Sequence, residues 1–591
     1  MLYIETIFKH ICPFYRRKNF ILDQKSILKK LKLTVQLMEL HEENPFKIRS
    51  FQGALNSLDR LDQDFTLLSS EELSEIPGLG KSILGVLENL KDTETHPLLD
   101  SLLEKTPTGI LEILQIKGLG PKKVKTLWTQ LGITSTHELM EACQSGKVAQ
   151  IKGFGEKTQN TIIQNLEFKA SNENKALYAD IEETALGYQE KIQSAIGKSG
   201  TVALVGEFTR KLEIISGLEY LVGSDDWEKS AEEIKKIEGI EWHLAKSGPY
   251  TLQGMLEEEE VGISIYGTDL ESFAQRQLLL SASPQHLQLE VKDGESMGQM
   301  ILGSKPKSEQ DFFQDLDLQF IPSELREGVD EIALAKEGKL PKLLENSDLK
   351  GILHNHSTYS DGKHSLRQMA DHCKALGYEY LGISDHSRSA FYAGGLEAER
   401  IVKQHEEIEA LNKELAPFKI FKGIESDILA DGSLDYPDEV LASFDFIVSS
   451  VHSILNMDLA RATQRLNTAI ENPYTTILGH PTGRLLLRRK GYPIDHQAII
   501  DACAANKVVI EINANPWRLD LDWRWIRYAM EKGVKLSINP DAHEMNGYLD
   551  MKYGVLIGRK GGLTADMTFN SMGVEEIDSY FQNRKSKIPV K

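Results

Sequence analysis

Gly351-Ile-Leu-His-Asn-His-Ser-Thr-Tyr-Ser-Asp-Gly362 is the stretch on which the reading of this chain turns. His354 and His356 follow a short apolar run and stand two residues apart. In a strand, positions i and i+2 project to the same face, so both imidazoles can point at one object at the strand's end. Asp361 follows in a turn marked by Asp-Gly. Metal ions of borderline softness take imidazole and carboxylate together. Taken alone, His-x-His is equally a pair of surface histidines beside a turn, and only the downstream sequence separates the two readings.

Downstream, apolar strand-like runs alternate with helical runs, the pattern of a β/α barrel. Tyr380-Leu-Gly-Ile-Ser-Asp-His386 ends in Asp385 and His386, and Lys419-Ile-Phe-Lys-Gly-Ile-Glu425 ends in Glu425. Phe446-Ile-Val-Ser-Ser-Val-His452 ends in His452, and Thr475-Thr-Ile-Leu-Gly-His480 in His480. Lys535-Leu-Ser-Ile-Asn-Pro-Asp-Ala-His543 ends in Asp541 and His543. Functional side chains of such barrels gather at the carboxyl ends of the strands. One structural histidine there needs no explanation; a histidine or carboxylate at six strand ends calls for metal.

Working back toward the N-terminus, one small pattern recurs three times: Ile76-Pro-Gly-Leu-Gly-Lys81, Ile116-Lys-Gly-Leu-Gly-Pro-Lys122 and Ile151-Lys-Gly-Phe-Gly-Glu-Lys157. Such repeats identify an architecture before any single element does. Each is a tight glycine turn opening a helical run, the helix-hairpin-helix signature. Gly78, Gly80, Gly118, Gly120, Gly153 and Gly155 let backbone approach a ligand, and the amides opening the next helix bind phosphate with help from the helix dipole. Lys81, Lys122 and Lys157 add charge just after each turn. The pattern predicts sequence-independent contact with a DNA backbone; the alternative is a set of C-capping glycines in a helical bundle.

The whole chain has 591 residues, which implies three or more domains. The net charge of -20 excludes a generally basic nucleic-acid coat while leaving local basic patches open. Cys12, Cys143, Cys373 and Cys503 are scattered without a Cys-x-x-Cys pair, which predicts a reducing, cytoplasmic setting, associated with the nucleoid through DNA. No apolar run approaches the roughly 18 residues a membrane span needs.

With His41-Glu-Glu-Asn-Pro-Phe-Lys-Ile-Arg49 and the three glycine turns, the chain resembles a bacterial family X DNA polymerase. The resemblance implies a nucleotidyltransferase-like palm with three catalytic carboxylates that hold two metals. Gly206, Arg210 and the Leu221-Val-Gly-Ser-Asp-Asp226 run align the palm, and the three positions then fall on Gly217, Glu219 and Gly262. Glycine has no side chain to coordinate metal. The Gly-Ser motif implied for the thumb is replaced by Ser281-Ala-Ser-Pro-Gln-His286. Asp225, Asp226 and the Glu257–Glu260 run are read as a solvated turn and a solvated charge run rather than substitute ligands. The expectation is a retained scaffold without polymerase chemistry.

The strand-end pattern resembles the polymerase-and-histidinol-phosphatase (PHP) domain that such polymerases carry at the C-terminus. Its nine-ligand, three-metal site maps onto His354, His356, Asp361, His386, Glu425, His452, His480, Asp541 and His543. The resemblance implies that Glu425 bridges two metals, with His354, His356 and Asp541 completing one position, His452 and His480 a second, and Asp361, His386 and His543 the third. His364 and Asp385 are near misses, read as groups behind the ligands or on the surface. Arg484, in Gly483-Arg-Leu-Leu-Leu-Arg-Arg-Lys490, is assigned a catalytic phosphate contact. Trp517 and Arg518 are candidates for touching a base or sugar, whereas Trp523 and Trp525 are expected to pack a barrel helix.

The expected fold is multidomain, with an α-helical helix-hairpin-helix region, an α+β palm and thumb, and a C-terminal α/β distorted (β/α)7 PHP barrel. The expected boundaries are 1–22 extension, 23–95 small helical domain, 96–170 fingers-like region, 171–268 palm, 269–323 thumb, 324–348 linker and 349–591 barrel. The expected activity is a metal-dependent phosphodiesterase acting in DNA repair at 3′ ends, by a 3′→5′ exonuclease reaction or 3′-end cleaning. It would use three divalent ions, manganese first and zinc next, on gapped or 3′-ended DNA, with the protein a monomer. Two other readings stay open: a small-molecule phosphatase of the histidinol-phosphate type, and a non-catalytic DNA-binding scaffold.

Overall fold

The computed structural model describes residues 24–586 except Arg60, Asp62, Gln63 and Glu94, so the predicted extension 1–22 lies outside the described residues. The chain divides into two compact units, 1–173 and 174–591.

The described part of the first unit is helical throughout. Its three glycine patterns fold into one repeated turn. The amide of Leu79 donates to Ile76 O at 3.1 Å, that of Leu119 to Ile116 O at 3.0 Å and that of Phe154 to Ile151 O at 3.1 Å. Gly78, Gly118 and Gly153 occupy the third turn position at φ 91°, 87° and 94°, where a side chain is strained. Leu79, Ile116, Leu119, Ile151 and Phe154 are buried in the unit's core, which fixes each turn with its glycines outward. The turns lead into helices α1 (Lys81–Thr93), α2 (Pro121–Leu131) and α3 (Gly155–Ser171). A Cβ at Gly80, Gly118, Gly120, Gly153 or Gly155 would meet nothing within 4 Å, so the helix-opening amides face open space.

The second unit begins with a five-stranded sheet of β1 (Thr201–Val205), β2 (Gly217–Gly223), β3 (Ile240–Trp242), β4 (Thr251–Leu256) and β5 (Gly262–Thr268), in the order β1-β2-β5-β4-β3. Only β2 and β5 run parallel, and Gly217 pairs with Gly262. Alternate residues Leu218, Tyr220, Ile263 and Ile265 enter the core, whereas Gly217, Glu219, Gly262, Ser264 and Tyr266 share the other, partly exposed face.

The stretch 324–348, expected as a polar linker, is instead packed. Arg326 is buried and its two terminal nitrogens each donate to Glu309 at 3.0 Å. Glu324 pairs with Arg559 at 2.7 Å and Glu327 with Lys560 at 2.6 Å, both on helix α4 (Met551–Lys560) of the barrel. Leu344 sits in the barrel's own core. The polar composition that suggested a linker serves to neutralise buried charge.

The C-terminal barrel contains seven parallel strands in sequential order: β6 (Gly351–Ile352), β7 (Tyr380–Ile383), β8 (Lys419–Asp427), β9 (Phe446–Ser450), β10 (Ile477–Leu478), β11 (Val509–Asn513) and β12 (Leu536–Asn539). A parallel bridge between Asn355 and Ala542 joins the two edges beyond the strand ends. Every residue of β7, β9, β11 and β12 is buried, as a sheet covered on both faces requires. The C-terminal helix Val574–Lys585 closes the strands' amino ends, with Phe581 packed on Phe421 and Phe446 and Asp578 paired to Lys419 at 2.7 Å. The carboxyl ends stay free for side chains of another kind.

Candidate metal centre

All nine predicted ligands converge at those carboxyl ends. Glu425, on β8, is at the middle: its Oε1 lies 3.3 Å from His354 Nε2 and 3.1 Å from both His452 Nε2 and His480 Nε2, and its Oε2 lies 2.9 Å from His386 Nδ1. Asp541 Oδ1 lies 3.1 Å from His356 Nε2 and 3.5 Å from His354 Nε2. Asp361 Oδ1 lies 3.4 Å from His543 Nε2 and 3.6 Å from His386 Nε2. Three groups have ligand atoms close enough to share an ion: His356, Asp361, His386 and His543; His354, His356 and Asp541; and His386, Glu425 and His452.

The donor set fits metal on a second ground. His354 Nε2, His356 Nδ1, His386 Nδ1, His480 Nδ1 and Glu425 Oε2 are buried without a hydrogen-bond partner. His386 Nδ1 is close to Glu425 Oε2 but lacks the alignment of a hydrogen bond. Buried polar atoms are rarely left so, and a cation is what satisfies the lone pairs of those that face the cluster. Burial raises the pKa of Glu425, but the charges of His452, His354 and His386 outweigh it and hold the carboxylate well below its ordinary range. Burial also opposes ionisation of Asp541, and His354, the His356 hydrogen bond and the Arg518 guanidinium reverse that.

Behind the nine stands a further layer. Glu511, on β11, is fully buried; its Oε1 lies 2.6 Å from His354 Nδ1 and its Oε2 accepts from the His480 amide at 2.9 Å. Asp427 holds His452 Nδ1 at 2.6 Å. Each carboxylate fixes which ring nitrogen faces the site. Glu511 and Asp427 did not emerge from the sequence, although each follows the same two-residue rule that singled out His354 and His356: Asp427 lies two residues after Glu425, and Glu511 two before the inward Asn513, whose amide reaches Asp541 at 3.2 Å. Asp385 is buried and accepts from Ser357 and Ser360 amides and hydroxyls, tying down the turn that carries Asp361. His364 accepts the Met545 amide at 3.4 Å and stays outside the cluster.

Arg484 does not face the cluster. Its guanidinium donates to Arg518 O at 2.8 Å, to Asp522 at 2.6 Å and to Leu519 O, so its donors are committed to the 518–522 loop. The arginine that reaches the ligands is Arg518, with Nε 3.4 Å from Asp541 Oδ2. Trp517 lies under Arg488, 3.3 Å from guanidinium carbon to ring centroid, and Trp523 and Trp525 belong to the barrel core and its margin.

In the five-stranded sheet, Gly217 and Gly262 lie side by side with no side chain to offer. Glu219 accepts from Tyr266 Oη at 2.9 Å, and burial raises its pKa. Its carboxylate fills the space over Gly206, where a built Cβ would fall 1.7 Å from Oε2. Arg210 is paired with Glu327 at 3.1 Å. Asp226 caps the helix Trp227–Ile234 by accepting from Lys229 N at 3.0 Å, and Glu257, Glu258 and Glu260 are exposed. Ser283 caps the helix Pro284–Gln288, and His286 is buried against Glu331 at 2.6 Å.

Among the described residues no helix is long and apolar enough to cross a membrane. The sequence matches a helix-hairpin-helix domain over residues 23–96, a SAM-like helix-hairpin-helix tandem over 110–167 and the PHP domain over 353–515. It is 33% identical over 578 residues to the DNA polymerase/3'-5' exonuclease PolX of Bacillus subtilis, covering 95% of this chain and 99% of that protein. A probable phosphatase of Thermoanaerobacter sp. is 26% identical over 239 residues, 37% of this chain and 94% of that protein. One of Acetivibrio thermocellus is 25% identical over 247 residues, 40% of this chain and 96% of its own length. Matched along nearly its full length to one such protein, the chain belongs to the bacterial family X DNA polymerases that carry a C-terminal PHP domain.

Proposed function

We propose that this chain is a DNA-processing phosphodiesterase that shortens or cleans DNA 3′ ends, built on a polymerase frame that no longer polymerises. The observation that carries the reading is the convergence of nine candidate ligand side chains, Glu425 in their midst, at the barrel mouth. They would hold three divalent ions, with manganese our first choice and zinc the second. Such ions supply an activated water near neutral pH and neutralise charge on the phosphoryl group.

The protein's own groups do the rest. Glu511 and Asp427 fix the tautomers of His354 and His452. Asp385 orients the turn bearing Asp361. Arg518 is the side chain placed to contact a phosphate oxygen, with Arg484 holding its backbone in position. The three outward glycine turns with Lys81, Lys122 and Lys157 would hold the DNA backbone without reading sequence. The palm reading follows from Gly217 and Gly262, because Glu219 alone cannot build a two-metal site. Packing of 324–348 against the barrel suggests that the domain limits be drawn with this stretch joined to its neighbours.

The probable phosphatases that match the barrel favour a second reading, a small-molecule monoesterase. The test is to incubate the purified protein with manganese and end-labelled gapped DNA, with and without nucleotides. Shortened products support the proposal, and chelation should abolish them. Lengthened products overturn the palm reading. Unchanged DNA together with release of phosphate from histidinol phosphate replaces the nuclease with the phosphatase.

A further inference from the structure

The loop that follows His386 presents two adjacent aromatic side chains to solvent, Phe391 at 85% and Tyr392 at 73% exposure. The Tyr392 ring centroid is 6.3 Å from that of the candidate ligand His386. The Tyr392 ring therefore stands at the mouth of the metal centre rather than on a remote surface, and Phe391 precedes it in the same short helical turn.

The loop is built, not loose. A parallel bridge joins Ser387 to Leu396, the Leu396 amide donates to His386 O at 2.9 Å, and the Gly395 amide donates to Ala390 O at 3.1 Å. The Ser389 amide is held by Asp435 at 2.7 Å, and Ala390 and Ala393 are buried on either side of the exposed pair. A Cβ at Gly395 would fall 2.0 Å from Ser387 O, so the close turn that lifts the aromatics requires glycine there. A tightly bonded turn has thus fixed two large apolar side chains in water, where each loses the stabilisation that burial would give.

Charged groups crowd the rest of the mouth: Asp361 and Glu425 lie 3.6 and 2.9 Å from His386, and Arg518 reaches Asp541 at 3.4 Å. Those groups serve metal and phosphate. A nucleobase needs a flat apolar face, and stacking on aromatic rings supplies it with little regard to sequence. A base inside a duplex has both faces occupied by its neighbours, whereas the base at a strand's end has at least one face free to meet the rings.

We propose that Phe391 and Tyr392 form a stacking platform for the base at or next to a DNA 3′ end, which holds the terminal nucleotide at the centre without reading its sequence. The inference rests on the DNA 3′-end reading above and names the side chains that hold that end.

The test uses the full-length protein and an F391L/Y392L double variant. One single-stranded oligonucleotide ends in 2-aminopurine and a matched one ends in a base-free tetrahydrofuran nucleotide. Binding is followed by 2-aminopurine quenching, with manganese and with chelator, and turnover by release of the terminal nucleotide. The native protein should quench the fluorophore and bind the base-bearing end several-fold or more tightly than the base-free one, within the roughly 5- to 150-fold that stacking of one base supplies. The double variant should lose both the quenching and the discrimination, mainly through KM, with bound metal unchanged, and F391Y/Y392F should restore them. Equal quenching in both proteins, or a loss in the variant that is the same for both oligonucleotides, overturns the platform. Base-dependent binding without any cleavage would keep the platform and overturn the nuclease.

Discussion

His354 and His356 just past the end of β6, and Gly217 and Glu219 at the start of β2, share one spacing on two different sheets: each pair stands two residues apart on one strand face, the first with two imidazoles at the candidate metal centre, the second with a single side chain. In the barrel the pair is buried on all sides, and carboxylates stand behind it, with Glu511 2.6 Å from His354. In the five-stranded sheet the pair lies on the partly exposed face, and the Glu219 carboxylate accepts from a tyrosine hydroxyl. On the function proposed above, the difference teaches how a site can be lost. Deleting one ligand from the buried cluster strands its neighbours' charges in low dielectric, where an unpaired group costs about 1–3 kcal/mol or more. Glycine on the open face strands nothing, because water reaches the gap. Arg210 beside it is neutralised by Glu327.

The sharpest way to break the comparison is to open a gap in the barrel like the one in the sheet. E425A or H356A should reduce manganese-dependent hydrolysis of end-labelled DNA by a hundredfold or more, about 3 kcal/mol of barrier. Near-normal turnover in E425A would mean that the ions do not share this carboxylate.

A smaller effect should follow one layer out. E511Q keeps a hydrogen-bond acceptor for the His480 amide but removes the charge that holds His354. Metal affinity or activity should fall about 10–100-fold, read by titration of metal into the stripped protein. An unchanged affinity would show that the packed cluster orients His354 without it.

How much of this was legible follows from the same residues. Eight of the nine converging side chains stand at or just past strand ends, which are visible in an alternation of apolar runs; Asp361 lies in a turn, and the full set of nine came from the resemblance to the PHP domain. Glu511 was passed over because it lies inside β11, where a carboxylate reads as an outward residue until the barrel buries both faces, and Asp427 because the apolar run was read as ending at Glu425, two residues short of the end of β8. Arg484 was misjudged for the opposite reason. Its position after His480 was right, but sequence does not show that Asp522 and two carbonyls would take its donors. The 324–348 stretch read as linker because Glu324, Arg326 and Glu327 are polar, and their partners Arg559, Glu309 and Lys560 are distant in sequence. The helix-hairpin-helix turns were plain because their geometry is local: a positive φ at one glycine decides each of them.

Those turns allow a milder test of the division of labour. K81A, K122A and K157A, combined, should lessen the salt dependence of DNA binding by about one unit of log K against log salt for each phosphate contact removed. Hydrolysis of a small phosphodiester should not change. If the slope is unaltered, the first unit does not carry the ionic grip.

The smallest effect is expected at Asp226, and it bears directly on whether the five-stranded sheet has lost its carboxylates or only moved them. Asp226 is near the β2 terminus and, with Asp225 before it, is an acidic neighbour in sequence that could replace the ligands absent at 217 and 262. Its carboxylate, however, accepts from the Lys229 amide and caps Trp227–Ile234. D226A should therefore lower stability by about 0.5–2 kcal/mol, whereas D226N, also a good cap, should be nearly silent. Neither should alter DNA shortening or produce primer extension. A metal ligand would behave otherwise: asparagine would fail along with alanine, and the loss would appear in nucleotide addition rather than in the unfolding midpoint. Primer extension in the native protein that disappears in D226N but survives E219A would place the transferred carboxylate at 226 and remove the contrast between the two sheets.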